Sequence, residues 1–277
     1  MKTKSIKSLG LMAAITLVGC SQNLNFGRSL VKVDSMVDIL TELTAGTSDV
    51  GIMDSIMANY YMSMDSNYGN SLMVIPNLVL SQEQYGIAAR KDAQYTAAKI
   101  SQKLVQLMQD GTVTQIADRY GLNDDVIIDD AYTVDLETLS GTSDWDYITN
   151  KGTLVIGYTV FAPIAFEQDG EFVGFDIDLA KAVGAALNLQ VVFQEINWDT
   201  KEIELANKNI DLIWNGMTIT EERQQSMSIT IPYLANKQVA IIRQSDAEKY
   251  QTTDDMSQAT IVVESGSAGQ SVVEKQS

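Results

Sequence analysis

Beyond residue 20 the chain alternates short apolar runs with segments whose apolar residues recur at helical spacing, the pattern of an α/β protein. Asp49-Val50-Gly51-Ile52-Met53 reads as a buried strand, and Leu72-Met73-Val74-Ile75 as one that stops at Pro76. A further strand is predicted from Tyr85 to Arg90. Ala97, Ile100, Leu104 and Leu107 mark one face of a helix that Gly111 closes, and Thr112 can cap a shorter helix reaching Tyr120. In the second half, residues 153–158, 190–194, 210–214, 238–243 and 260–264 read as strands. Residues 176–187 carry Leu179, Ala180, Val183 and Leu187 on one helical face, and 200–207 make a shorter helix.

Two stretches break this pattern. At the front, Lys2, Lys4 and Lys7 precede an apolar run from Leu9 to Val18 that is too short to span a bilayer core of about 30 Å. The run ends in Leu17-Val18-Gly19-Cys20, which resembles the bacterial lipobox and predicts cleavage before a lipidated Cys20. In the middle, no basic residue falls between Arg119 and Lys151, whereas Asp124, Asp125, Asp129, Asp130, Asp135, Glu137, Asp144 and Asp146 all do. Such a run is a solvated linker. Its interleaved Val126, Ile127, Ile128, Val134 and Leu136 allow it to lie along the surface as a strap.

A formal charge of -17 repels nucleic acid and anionic lipid alike. The chain has no histidine, so the commonest general base and metal ligand is missing. Cys20 is the only cysteine, which excludes an intrachain disulfide and a thiolate metal site. These absences argue against an enzyme and against a cofactor or metal.

Four segments in the second half together resemble the amino-acid-binding proteins of ABC importers, which have the type II periplasmic binding fold. They are Gly157-Tyr158-Thr159-Val160-Phe161-Ala162-Pro163-Ile164 with Gly174-Phe175-Asp176-Ile177-Asp178-Leu179-Ala180; Asn197-Trp198-Asp199; Asp211 to Arg223, which includes Trp214-Asn215-Gly216-Met217-Thr218; and Glu264-Ser265-Gly266-Ser267-Ala268-Gly269. The front half adds Gly46 to Asp54 and the tail-like Asp110-Gly111-Thr112 with Tyr120-Gly121. In the family the first four come before the last two; here the order is reversed.

The chemistry of the site can be stated without the family. The carboxylate of an α-amino acid needs a guanidinium fork and convergent backbone N–H groups. Arg223 lies close enough in sequence to fold back beside Thr218 if Thr220 starts a helix; its alternative is an ion pair with Glu221 or Glu222. The resemblance implies that Arg223 clamps the carboxylate and that Gly216, Thr218 and Ala268 donate hydrogen bonds. It also places Asp54 on the ammonium, although Asp54 alone reads as a helix N-cap. Ser267 either caps a helix whose amides face the anion or touches the ligand itself. Phe161 and Trp198 match rings that sandwich the ligand side chain, and Asn215 can bond the ammonium or a polar side chain. Tyr158 stands near where members selecting basic amino acids carry an acid, which disfavours lysine or arginine.

The resemblance implies an α/β, two-lobed type II periplasmic binding protein fold, each lobe a mixed sheet flanked by helices, in circularly permuted order. Residues 1–20 would be a lipoprotein signal ending at Cys20. Residues 24–84 with 245–277 would form lobe 2, and 85–121 with 145–244 lobe 1, joined by an acidic linker over 122–144. The function implied is capture of an amino acid outside the cytoplasm for an ABC importer. The expected partners are the free amino acid and the permease subunits, with the protein a monomer touching the membrane only through its lipid anchor. The alternatives are a prephenate- or arogenate-dehydratase-like enzyme on the same fold and a ligand-sensing module.

Overall fold

The computed structural model describes residues 27–275; the leader and Cys20 lie outside the described residues. The front of the chain forms β1 (Ser29–Val33), α1 (Met36–Ala45), β2 (Val50–Asp54), α2 (Ser55–Met64), α3 (Ser66–Gly69) and β3 (Leu72–Ala89). Helices α4 (Gln94–Gln109), α5 (Thr112–Tyr120) and α6 (Ser143–Lys151) follow. The rest comprises β4 (Thr153–Tyr158), a small hairpin of β5 (Phe166–Gln168) and β6 (Glu171–Val173), α7 (Phe175–Leu187), β7 (Gln190–Glu195) and α8 (Lys201–Ala206). It ends with β8 (Leu212–Thr218), α9 (Glu221–Ser226), β9 (Ser228–Ile229), β10 (Leu234–Arg243), β11 (Thr260–Glu264) and α10 (Ala268–Glu274). Among the described residues no helix is long and apolar enough to cross a membrane.

One large mixed sheet organises the molecule, in the order β1-β11-β2-β10-β3-β8-β4-β7, with β9 attached to β3. On one side β11 lies between β1 and β2, parallel to both. On the other, β8, β4 and β7 are parallel. Between them β10 and β3 run antiparallel to each other and to their outer neighbours. None of the three front strands pairs with another; each takes its neighbours from β8 to β11.

Helices cover the sheet with the apolar faces that the periodicity predicts. Ala97, Ile100, Leu104 and Leu107 of α4 are buried, as are Leu179, Ala180 and Val183 of α7. Full burial of such a side chain contributes about 1.5–3 kcal/mol. Helix α1 opens on a capping box in which Ser35 accepts from the Asp38 amide while the Asp38 carboxylate bonds back to the Ser35 N–H.

Several boundaries differ from the sequence reading. Pro76 does not end a strand: β3 runs unbroken from Leu72 to Ala89 and takes in all but Arg90 of the segment predicted separately at 85–90. The register against β10 shifts between the Val79–Val239 and Val74–Ile241 pairs, so Pro76 falls in an irregularity where no ladder N–H is required of it. The strand predicted at 210–214 begins at Leu212 and runs on to Thr218. Thr112 is the first residue of α5 rather than its cap; Gly111 holds the cap position. The Asp110 carboxylate accepts from both the Thr112 N–H and hydroxyl.

The acidic segment behaves as a strap along β10. Val126 bridges to Leu234, the Ile127 N–H donates to the Tyr233 carbonyl (3.0 Å), and the Ala235 N–H donates to the Asp125 carbonyl (2.7 Å). The strap gives way at Ser143 to α6, so its last residues are helical. There Asp144 takes Arg90 Nε at 2.5 Å. Arg90 also reaches Asp211 (3.1 Å), which in turn holds Lys151 (2.5 Å) and the Val155 N–H (2.8 Å). This buried network ties the end of β3, helix α6 and the start of β8 together.

Candidate functional site

Five strands deliver their carboxyl ends to one cleft. Asp54 ends β2 and Glu264 ends β11; Thr159, Val160 and Phe161 follow β4, Trp198 follows β7, and Thr218 ends β8. All nine residues expected at a ligand site (Asp54, Phe161, Trp198, Asn215, Gly216, Thr218, Arg223, Ser267 and Ala268) line this cleft. Met36, Thr159, Val160 and Glu264 complete the wall.

One end of the cleft is cationic. Thr220 caps α9 by accepting from the Arg223 N–H (3.1 Å), which turns the arginine back over β8. Its guanidinium donates to the Thr218 carbonyl (2.8 Å) and the Gly266 carbonyl (3.2 Å). Among the described residues Arg223 forms no ion pair with Glu221 or Glu222, so the surface alternative fails. Lys201 joins it: Nζ donates to the carbonyls of Gly266 (3.0 Å) and Trp198 (2.9 Å) and lies 4.8 Å from the Trp198 ring centroid. Burial, then repulsion from Arg223, lowers the Lys201 ammonium to about 8. Ser267 resolves as a helix cap, accepting from the Gln270 N–H (3.1 Å) and opening α10 toward this end. Ala268, the first residue of that helix, is buried beside it.

Buried carboxylates line the cleft as well. Asp54 holds the N-cap position of α2 but makes no side-chain capping bond. Its Oδ1 instead accepts from the Tyr85 hydroxyl (2.5 Å), Gln238 Nε2 (3.1 Å) and Asn236 Nδ2. Burial, reinforced by the nearby Glu83 carboxylate, raises the Asp54 carboxyl to about 7. Glu264, also buried, rises to about 8 through desolvation and then the charge of Asp54. Phe161 meets the Tyr85 ring edge-on at 6.5 Å between centroids, and Trp198 also lines the cleft.

Two expected donors are corrected. The Gly216 N–H is already given to the buried Asp176 Oδ2 (2.8 Å), so it cannot serve a ligand carboxylate. What the site needs from Gly216 is its missing side chain. The residue has φ +61°, and a Cβ would lie 2.6 Å from the Phe161 ring. The Thr218 hydroxyl likewise donates to Glu83 Oε2 (3.0 Å) and has no second proton for a carboxylate. Asn215 gives Nδ2 to Thr159 Oγ1 (2.9 Å), and its buried Oδ1 has no partner among the described residues.

Sequence reasoning missed Glu83, Lys201, Asn236 and Gln238. The last two carried a signal: polar residues two apart on a strand share one face, and a buried polar pair on an otherwise apolar strand needs partners. In the register Asn236 stands opposite Glu83 and Gln238 opposite Asp54.

Residues 154–275 match the model of bacterial extracellular solute-binding proteins, family 3. A probable histidine-binding protein of Neisseria gonorrhoeae is 34% identical over 97 residues, covering 35% of each chain. The ABC transporter arginine-binding protein 1 of Escherichia coli is 34% identical over 114 residues, 40% of this chain and 46% of that one. Among solved structures, an ABC uptake transporter substrate-binding protein of Streptococcus pneumoniae with bound histidine is 42% identical over 30% of this chain and 35% of that chain, with a TM-score of 0.29. The chain thus spans between about a third and a half of the length of the curated relatives it matches. The family segment contributes Phe161, Trp198, Asn215, Gly216, Thr218, Arg223, Ser267 and Ala268 to the cleft; Asp54 comes from outside it.

Proposed function

We propose that this protein captures a free α-amino acid outside the cytoplasm and delivers it to an ABC permease. The observation that carries this reading is the polarity of the cleft. A buried guanidinium and a buried carboxylate both line it, together with two aromatic rings. That is the complement of a zwitterion with a side chain. The names of the relatives, histidine- and arginine-binding proteins among them, support the same class of ligand.

A thermal-shift screen of the twenty amino acids at pH 8 tests the reading, because a ligand that binds only the folded state raises the melting temperature. No shift with any of them would sink it. The shift should also depend on pH. Below about 7 the Asp54 carboxyl takes up a proton, while the ligand ammonium stays charged. Affinity is therefore expected to fall between pH 8 and pH 5.5, by about tenfold per unit once the carboxyl is mostly neutral. Calorimetry across that range reads it directly.

The proposal extends to the order of the chain and its tether. Residues 24–84 with 245–277 would form one lobe and 85–121 with 145–244 the other, with 122–144 rejoining a former tail to a former head. The placement of β11 between β1 and β2 supports this permuted arrangement. A chain in which Ser277 is joined to Leu24 and new ends are opened within 122–144 should remain soluble and bind the same amino acid. An insoluble product beside a soluble original would count against it. Cys20, lipidated, would anchor a monomer to the membrane, and Cys20→Ser should release it from the detergent phase.

A further inference from the structure

Glu83 is absent from the wall of the cleft, yet it governs which hydrogen-bonding groups that wall presents. Its Oε2 accepts from Thr218 Oγ1 (3.0 Å), Asn236 Nδ2 (3.1 Å) and Gln238 Nε2 (3.0 Å), while Oε1 accepts from the Ser81 hydroxyl (2.9 Å). Two amide N–H groups, from Asn236 and Gln238, already point at Oε2, and the Thr218 hydroxyl points its proton at the same atom. Thr218 has one hydroxyl proton, and giving it to Glu83 leaves lone pairs for the cleft. The amides of Asn236 and Gln238 are oriented by the same carboxylate, and both also donate to Asp54 Oδ1. That bonding occupies Oδ1 and leaves Oδ2 for a ligand.

Asn215 completes the set independently. Its Nδ2 is spent on Thr159, and its Oδ1 is buried with no partner among the described residues. A buried acceptor left unpaired costs about 1–3 kcal/mol, so a donor is required of whatever fills the cleft. Asp54, Asn215 and Thr218 thus present acceptors, drawn from strands on both sides of the sheet.

We propose that Glu83 is a positioning residue that leaves Asp54 and Thr218, together with Asn215, presenting acceptors to the cleft, so that it selects ligands presenting an ammonium to them and rejects those that lack one. The inference rests on the amino-acid reading above and deepens it. With glutamine at 83, the side-chain amide would donate toward Thr218, whose hydroxyl could then turn its proton into the cleft.

Two experiments test it. Neutron diffraction from ligand-free crystals should place a deuteron on Thr218 Oγ1, aimed at Glu83 Oε2. A deuteron on Glu83 aimed at Thr218 would overturn the proposal whatever the protein binds. Calorimetry then compares wild type with Glu83→Gln, using L-histidine, L-arginine and their des-amino acids, 3-(imidazol-4-yl)propanoate and 5-guanidinopentanoate. The variant should lose about tenfold or more on the amino acids and less than about twofold on the des-amino acids. Equal losses on both members of a pair, or none, would refute it. If neither amino acid binds the wild type while the deuteron lies on Thr218, the assigned polarity stands and the amino-acid reading falls.

Discussion

Arg223→Ala should weaken binding of an α-amino acid by about 2–5 kcal/mol, or about thirty-fold at the least. The guanidinium is almost wholly buried and already anchored on two backbone carbonyls, Thr218 and Gly266. Its geometry is therefore fixed before a ligand arrives, and little ordering remains to be done on binding. Without it, the ligand carboxylate is desolvated beside Lys201 alone, a point charge that lacks the planar fork. Arg223→Lys should recover only part of the loss. The counterpart, Asp54→Asn, keeps the shape but removes the charge facing the ammonium, and should weaken the same ligand by well over tenfold. A prephenate-like diacid has no ammonium, so its affinity should be unchanged or improved by Asp54→Asn. Calorimetry with both variants separates the two ligand classes, and wild-type affinity for the amino acid in Asp54→Asn would end the amino-acid reading.

Asp211→Ala should destabilise the fold by about 3–5 kcal/mol, the range for removing one partner from a buried ion pair. Asp211 is fully buried and accepts from Arg90, Lys151 and the Val155 N–H. Alanine would leave the Val155 N–H and one arm of the nearly inaccessible Arg90 without their partner, and Lys151 without its counter-charge. Asp144→Ala should cost less, because Arg90 keeps Asp211 and the Ile210 carbonyl (2.7 Å). Urea denaturation of the two variants gives the comparison. A loss below about 1 kcal/mol for Asp211→Ala would mean that the network is solvated rather than dry.

The contrast between Asp54 and Glu83 explains how much of the site could be read from sequence. Asp54, Thr218 and Arg223 fall at strand ends or helix starts inside recognisable segments, so their convergence was legible. Glu83 lies within a strand that the sequence reading cut at Pro76, and its role depends on register against β10. Register is set by pairing between distant segments, which leaves no local trace. The direction of each hydrogen bond was hidden for the same reason. Thr218 and Gly216 were expected as donors, and only the positions of Glu83 and Asp176 show that their protons are already committed. Helices α4 and α7 were visible because their apolar faces repeat over several turns. The hairpin of β5 and β6, three residues each, is too short to carry a period.

The pairing of every front strand with strands from the rear has a consequence for how the protein is made. Ser29 and Thr260, neighbours across β1 and β11, are 231 residues apart. At roughly 5–20 residues per second, roughly ten to fifty seconds separate their synthesis. During that interval β3 waits for β8, β2 for β10 and β1 for β11, since each pairs only with β8 to β11. Contacts of such long range are also slow to form once the chain is complete. Nascent chains would meanwhile offer open strand edges to one another, the usual start of aggregation. A carrier that holds the chain extended until β11 has been made would close that interval, and folding would then begin with all its partners present.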